Sequence, residues 1–208
     1  GESHQTRYYA FFAVAISGAV GVAMAANLLT LFVFYEVLTL STYPLVTHHG
    51  DEKARRGGRV YLGLLLSTSV GMLLLALVWT WQVAGTLDFR PGGIQSQARA
   101  AGKISDPQLG VLLGLFAFGI GKAALMPFHR WLPAAMVAPT PVSALLHAVA
   151  VVKVGVFSVL KVAVFIFGID LLQDTGTSIW LAYAAAASLL IASLVAFWLG
   201  LREQAVEI

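Results

Sequence analysis

The 208-residue chain contains no cysteine and has few charged residues. Without thiolates it cannot form a disulfide or ligate an iron–sulfur cluster. Charged residues make up 11% of the sequence, against about 25% in an average soluble domain. A chain of this composition cannot cover a water-exposed surface, and its net charge of +3 is too small and too dispersed for nucleic-acid binding. These shortages exclude a soluble domain, a nucleic-acid-binding protein and a thiolate redox centre.

Apolar residues make up 59% of the sequence and occur in long runs. The runs are too long for strands and do not alternate with polar residues, which excludes a membrane β-barrel. A membrane-spanning helix needs about 20 apolar residues. The sequence therefore predicts a single all-α domain over residues 1–208, a polytopic transmembrane helix bundle of about six spans. The predicted spans are 8–26, 28–47, 60–84, 109–126 with a continuation over 131–137, 142–167 and 179–201.

The distribution of lysine and arginine predicts how the spans are oriented. With six crossings, seven basic residues fall on one side and three on the other, which places the N-terminus and the 48–59 loop in the cytoplasm. Asp51 and Arg130 are then expected on one side and Gln97 on the other. The first residue is not Met and no signal peptide is evident, so the chain is expected to begin inside a longer gene product.

The segment 119–155 organises the prediction of function. It contains four prolines that must break a helix, Pro127, Pro133, Pro139 and Pro141. Broken helices at membrane depth are tolerated where protein or a water-filled cavity satisfies the freed backbone groups. Ionisable residues at that depth mark ion or proton paths by default, and here they are Lys122, His147 and Lys153. Arg130 and Trp131, at the break, are interpreted as membrane-interface anchors.

Glu36 lies in the middle of the second span. Helical spacing puts Thr39 and Tyr43 on its face, where either could hydrogen-bond its carboxylate or hold a water molecule, and Pro44 is expected to kink the helix. A structural ion pair is the alternative to a role in transport. We expect Glu36 to approach Lys122 to within the distance of an ion pair or of one bridging water, because each charge is costly alone.

Lys122 follows a glycine, which invites a phosphate-binding-loop interpretation. That loop requires the pattern GxxxxGK[ST], but here Phe116 and Ala123 occupy the first glycine and the final hydroxyl positions, so nucleotide binding is rejected. The remaining alternatives are a proton-carrying lysine and a lysine that extends to the membrane surface.

His147 and Lys153 are six residues apart, which is about 9 Å along a helix. Histidine titrates near neutral pH, so the two residues could pass a proton through one water. A lone membrane histidine can equally serve as a hydrogen-bonding group in helix packing. Lys161, near the end of the same span, is interpreted as a lysine that reaches outward to the interface.

Three segments resemble a known family. FYEVLTLSTYPLVTH, GKAALMPFHRWLPAAMVAPTPVSALLHA and VVKVGVFSVLKV are similar to the proton-translocating membrane subunits. That family includes the antiporter-like subunits of respiratory complex I (NADH-quinone oxidoreductase) and the Mrp-type Na⁺/H⁺ antiporters, and the motifs are most similar to the D-type subunits of the Mrp antiporters. The similarity extends over nearly the whole chain.

The resemblance implies proton-translocation roles for four residues. Glu36 matches the glutamate of the family's fifth helix, Lys122 the lysine of its broken seventh helix, and His147 and Lys153 the relay positions of its eighth. The family fold has two five-helix repeats of inverted topology. The chain resembles the first repeat, about 8–167, plus one further helix, and the second repeat is missing.

The implied function is that of an integral membrane subunit in the bacterial plasma membrane. It would translocate protons, or exchange H⁺ for Na⁺, within an Mrp-type or complex I-like assembly, with other membrane subunits and the lipid bilayer as partners. No cofactor, metal or redox chemistry is expected in this chain, and no catalytic set of an enzyme is present. The alternative is a structural, non-transporting subunit or a truncated half-transporter.

Overall fold

The computed structural model describes residues 5–206, except for the side chains of residue 149 and residues 200–206. Over this range the chain is all-α, with no β-strand. The helices, in chain order, are α1 (Gln5–Met24), α2 (Leu28–Val46), α3 (Glu52–Ala84), α4 (Ile94–Ala100), α5 (Asp106–Gly119), α6 (Trp131–Ala134), α7 (Thr140–Phe167), α8 (Ile169–Thr175) and α9 (Ile179–Val206).

The first two helices form an antiparallel hairpin, at nearly the predicted positions. Asn27 ends the connection by accepting a 2.7 Å hydrogen bond from the backbone N–H of Thr30, which satisfies one free donor at the start of α2. Close packing within the hairpin depends on Gly18, since a Cβ there would lie 3.2 Å from the backbone nitrogen of Leu38. The hairpin therefore brings the polar face of α2 into the core.

The third helix begins earlier than the predicted span at residue 60. Asp51 caps it by accepting a 2.7 Å hydrogen bond from the N–H of Ala54, so the polar residues that follow join the helix. At 33 residues, α3 is about 50 Å long, which exceeds the roughly 30 Å hydrocarbon thickness. Its first turns consequently extend from the membrane into the polar region.

The fourth predicted span, 109–126, is wrong at its C-terminal end. Helix α5 stops at Gly119, and Ile120 leaves the helical region with φ −80° and ψ 61°. A Cβ at Gly119 would lie 2.5 Å from the backbone nitrogen of Leu73, so α5 and α3 touch directly at this point. Lys122 therefore lies in a short 3₁₀ turn, Gly121–Ala123, and not inside a continuous helix.

The segment between α5 and α7 is a series of short turns. Helix α6 is flanked by 3₁₀ turns at Phe128–Arg130 and Ala135–Val137, which agrees with the predicted continuation over 131–137. Five of the described helices are long and apolar enough to cross a membrane, and α5, with 14 residues, is too short to do so alone. The fourth crossing thus has to combine α5 with the broken segment after it.

The connections between the helices lie at two ends of the bundle. At one end, Asn27 pairs with Asp88, and the loop at Gly93 packs against Gly168. Both glycines have positive φ, 81° and 87°, which allows this close approach. At the other end, the start of α3 contacts α6 and its flanking turns. Two segments predicted as loops contain the short helices α4 and α8.

The final long helix, α9, makes little contact with the rest of the bundle. Its first turn packs through Trp180, whose ring stacks on Phe118 with the centroids 5.9 Å apart. The best apolar window of its Ile179–Leu199 segment contains no buried residue. The helix therefore presents an apolar surface on nearly all sides, as expected for contact with lipid or with another membrane helix.

Candidate functional site

Lys122 is fully buried at the helix break. Its ammonium group donates a 2.9 Å hydrogen bond to the backbone oxygen of Tyr35 and a second, short one to the hydroxyl of Thr39. The same nitrogen lies 3.2 Å from the centre of the Tyr35 ring. All the groups in direct contact with the ammonium are thus neutral, and they come from one turn of α2.

The freed backbone groups at the break find partners in protein side chains. The backbone N–H of Lys122 donates to the Tyr35 hydroxyl at 3.1 Å. The indole N–H of Trp131 donates to the backbone oxygen of Gly121 at 2.9 Å. Trp131 is fully buried, so its interpretation as a membrane-interface anchor is wrong. The ring instead fixes the turn that carries Lys122, because a broken helix at membrane depth needs such replacement partners.

A column of hydroxyl groups continues from Lys122 along α2. Thr42 lies 2.5 Å from the hydroxyl of Tyr61 on α3 and also bonds the backbone oxygen of Thr39 at 3.0 Å. The Tyr61 ring meets Trp131 edge-on, with the centroids 5.7 Å apart. Tyr61 connects α3 to the site through its bond with Thr42, and Trp131 connects α6 through its contact with Tyr61. The hydroxyls of Thr42 and Tyr61 therefore form a pair that reaches the Lys122 site through the backbone oxygen of Thr39.

Glu36 is next to this network but does not bond to it. Both of its carboxylate oxygens are shielded from solvent and make no hydrogen bond within the described part of the chain. The expected hydrogen bond from Thr39 is absent, because that hydroxyl donates to the backbone oxygen of Tyr35 at 3.0 Å. A direct ion pair between Glu36 and Lys122 is also absent, although the ammonium bonds the backbone oxygen of Tyr35, the residue that precedes Glu36. The distance of one bridging water stays a prediction.

His147 lies in a π-helical turn, Leu145–Val149, within α7. Such turns insert an extra residue into a helix and are frequent at functional sites. The ring is half-buried, and its Nε2 is shielded from solvent without a hydrogen-bond partner among the described residues. A helix-packing hydrogen bond through Nε2, the alternative for this residue, is thus not formed.

Lys153 lies at the surface of the chain. Its side chain borders an apolar groove of about 360 Å³ between α1 and α7, lined by Ile16, Ala19, Val20, Ala23, Ala150, Val154 and Phe157. The buried lysine and the surface lysine are connected through helix packing. A Cβ at Gly155 would overlap the backbone of Lys122 and Ala123, so α7 lies directly on the break two residues after Lys153.

Lys161 has a different environment from the one expected. Its ammonium group donates to three backbone oxygens at the end of α1, those of Val22 at 3.4 Å, Ala23 at 3.0 Å and Ala25 at 2.6 Å. A helix leaves its last carbonyls without partners and has a negative C-terminal pole, so a cation there is stabilising. Lys161 is a helix cap that ties α7 to α1, and not only an outward-reaching side chain.

The four prolines occupy different positions along the break. Pro127 lies in the turn after Lys122, and Pro133 lies inside the four-residue helix α6. Pro139 precedes α7, and Pro141 lies in its first turn, where a missing backbone N–H costs no intrahelical bond. Together they prevent a regular helix between α5 and α7.

Three residues of the site were missed by the sequence reasoning: Tyr35, Thr42 and Tyr61. Each carries a hydroxyl within an apolar span, which was the available signal, but their partners lie on other helices. Taken together, the site offers a buried ammonium, a nearby unpaired carboxylate and the hydroxyls of Thr39, Thr42 and Tyr61. Such groups can hold and transfer protons without a cofactor.

The sequence matches the family model described as NADH:quinone oxidoreductase/Mrp antiporter, transmembrane, over residues 25–198. The chain belongs to this family. The matched range contains Glu36, Lys122, His147 and Lys153, and the family resemblance stated from the sequence is confirmed. Curated relatives include the A-type subunit of the Na(+)/H(+) antiporter of Bacillus subtilis, 30% identical over 91% of this chain. Another is Hydrogenase-4 component B of Escherichia coli, 31% identical over 95% of the chain.

The chain covers 24% and 28% of the length of these two relatives, respectively. Among solved structures, the Mrp complex from Dietzia sp. is similar, with a TM-score of 0.63, 30% identity, and coverage of 73% of this chain and 16% of the other. The archaeal membrane-bound sulfane sulfur reductase has a TM-score of 0.62, 26% identity, and coverage of 73% and 30%. The chain is thus an integral membrane protein, and the narrower likeness to the D-type subunits of the Mrp antiporters stays a prediction.

Proposed function

We propose that the chain is a proton-translocating membrane subunit whose central proton carrier is Lys122. The observation that carries this proposal is the full burial of Lys122 at a helix break, among neutral hydrogen-bond acceptors and beside an unpaired carboxylate. A buried charge is costly unless it is paired, so a structural role would favour a direct ion pair. A carrier needs the opposite, because its charge has to appear and disappear.

Glu36 is the switch in this mechanism. Glu36 follows Tyr35, which holds the Lys122 ammonium, and forms no direct ion pair with it, so a small movement of α2 relative to the break would change the attraction between the two charges. With Glu36 near and ionised, Lys122 holds its proton. With Glu36 more distant or protonated, Lys122 passes the proton on. The hydroxyls of Thr42 and Tyr61 extend the polar network and provide an approach to Lys122 along α2.

The onward path runs from Lys122 past His147 to Lys153. The unpartnered Nε2 of His147 is available to a bridging water or to the transferred proton. Lys153 lies on the surface groove, so the path leaves this chain there. By the resemblance, residues 8–167 form one inverted repeat, and a second repeat would continue the path. The proposal includes a location in the bacterial plasma membrane with a cytoplasmic N-terminus, within an Mrp-type or complex I-like assembly.

Two related functions are supported by particular observations. Exchange of H⁺ for Na⁺ is favoured by the similarity to the Na(+)/H(+) antiporter protein of Bacillus subtilis. A non-transporting structural role is favoured by the exposed position of Lys153, where the path ends at the surface. Retention of the buried lysine and the unpaired glutamate opposes that structural role, because neither improves helix packing.

The deciding experiment measures proton flux in membrane vesicles that contain the complete native complex. Lys122→Met preserves the length of the side chain but removes the ammonium, and it should abolish flux while the complex still assembles. Lys122→Arg should fail as well, because arginine does not release its proton in proteins. The matched control is Lys103→Met, which removes an exposed lysine from the connection between α4 and α5. Normal flux with Lys122→Met would overturn the proposal.

A further inference from the structure

A second groove lies at the N-terminal end of α3. It has a volume of about 280 Å³ and lies between the first turns of α3 and the broken segment. One wall comes from α3 and the other from α6 and the turn after it. The lining residues are Lys53, Arg56, Gly57, Val60, Pro133, Ala134 and Val137.

The α3 wall has an ordered chemical gradient. Its four lining residues are spaced i, i+3, i+4 and i+7, so they form one face of the helix. Lys53 and Arg56 come first, where the helix leaves the polar loop, and Val60 lies about 10 Å beyond Lys53 and about 6 Å beyond Arg56 along the axis. The groove is therefore cationic at its outer end and apolar toward the membrane.

The two cations are free to bind an anion. Lys53 and Arg56 are exposed, and they form no ion pair with any residue that the structure describes. The nearest acid is Glu52, one residue before Lys53 and one helical turn before Arg56, and it forms no ion pair with either of them, while Asp51 is engaged in capping α3. Lysine and arginine at this level of a membrane protein face the headgroups of the lipids.

The opposite wall is apolar and firmly attached to α3. A Cβ at Gly57 would overlap the backbone oxygen of Ala134, so the walls touch at this glycine and diverge from it. Val60 and Val137 both expose more than a third of their surface, at 38% and 36%. An extended apolar ligand could therefore lie against both side chains.

We propose that this groove binds an anionic phospholipid. Lys53 and Arg56 contact the phosphate headgroup, and the upper part of an acyl chain lies along Val60 and Val137. Along α3 the basic residues are followed by an apolar surface, just as the charged headgroup of a phospholipid is followed by its acyl chains. Binding of a free anion or of an acidic peptide would not require the apolar part of the groove. Basic pockets between membrane helices at the headgroup level commonly bind acidic lipids.

The test uses native mass spectrometry of the full chain in neutral detergent, with dioleoylphosphatidylglycerol as the probe. Dioleoylphosphatidylcholine and inorganic phosphate serve as comparison ligands. The wild-type chain should bind phosphatidylglycerol more tightly than phosphatidylcholine. The double variant Lys53→Gln/Arg56→Gln should weaken phosphatidylglycerol binding at least about tenfold, because two charge-assisted contacts with the phosphate are lost together.

The matched control is Arg55→Gln/Arg59→Gln, which removes the same charge from the same two turns of α3 on another face. It should change the affinity less than threefold. Val60→Trp fills the apolar end of the groove without a change of charge, and it should also weaken lipid binding. The proposal is wrong if the two double variants lose affinity equally, or if the first binds like the wild type. It is also wrong if inorganic phosphate competes with the lipid and Val60→Trp has no effect.

Discussion

The ammonium group of Lys122 lies 3.2 Å from the centre of the Tyr35 ring, and the hydroxyl of the same tyrosine accepts the backbone N–H of Lys122 at 3.1 Å. The side chain of Tyr35 thus stabilises the charge of the lysine through its ring and accepts a hydrogen bond from the free backbone N–H of the same residue through its hydroxyl. A cation over an aromatic ring is stabilised by about 2 kcal/mol when both groups are desolvated. This contact allows the charge to be buried without a direct ion pair.

Replacement of Tyr35 separates these two contributions. Tyr35→Phe keeps the ring but leaves the buried N–H of Lys122 unpaired, which should destabilise the protein by about 1–3 kcal/mol. Tyr35→Leu removes the ring as well and should cost about 2 kcal/mol more. Thermal unfolding of the purified protein measures both effects. Equal melting temperatures for the two variants would show that the cation–ring contact contributes nothing.

Glu36→Gln removes the negative charge and keeps the shape of the side chain. The Lys122 ammonium then loses its electrostatic partner, so proton flux through the native complex should fall by at least about tenfold, which corresponds to about 1.4 kcal/mol. Assembly should persist because the carboxylate makes no hydrogen bond to the surrounding helices. Glu52→Gln, an exposed carboxylate at the start of α3, is the matched control. Flux at the wild-type level in Glu36→Gln would exclude the switch.

Lys153 should affect transport without affecting stability. Lys153→Ala and Lys153→Arg should both block proton flux, since alanine has no proton to carry and arginine does not release one. Because the side chain is exposed, the free energy of unfolding of this chain should change by no more than about 0.5 kcal/mol. His147→Ala should slow flux less, as water could bridge the gap. Normal flux with Lys153→Arg would mean that the path does not pass through this residue.

Lys161 should show the reverse pattern. Lys161→Met removes three charge-assisted hydrogen bonds to the end of α1 and should lower stability by about 1.5–3 kcal/mol. Lys161→Arg should retain most of this stability, because a cation still faces the helix terminus. Melting temperature and flux per folded complex are measured side by side. A loss of flux in Lys161→Arg, with no loss of stability, would give this lysine a role in transport.

Cysteine labelling can test the topology directly, because the chain has no native cysteine. Glu52→Cys and Arg130→Cys should react with a membrane-impermeant reagent from one side and Gln97→Cys from the other. All three positions are exposed. The cysteine is introduced at position 52 and not at position 51, because the carboxylate of Asp51 caps α3. Labelling of positions 52 and 97 from the same side would contradict the predicted topology.

The sequence alone determined the class of the protein and the position of its long helices. Long apolar runs that do not alternate with polar residues can satisfy their backbone in a membrane only as helices, so the helical bundle followed from composition and from the lengths of the runs. The family also followed from the sequence, because residues such as Glu36 and Lys122 lie in long, specific motifs. These features depend on the type and order of residues within single segments, which the sequence gives directly.

The tertiary structure decided what each of the charged residues contacts. Helical spacing places Thr39 beside Glu36, but the hydroxyl bonds Tyr35 and Lys122, because the break brings an ammonium to α2 from 83 residues away. Helix α5 ends at Gly119, where it packs directly on α3, and no local pattern reveals that contact. Likewise Lys153 is exposed and Lys161 caps α1 because of how α7 packs. Partners on distant helices are fixed by packing, and a single sequence records the residues but not their neighbours.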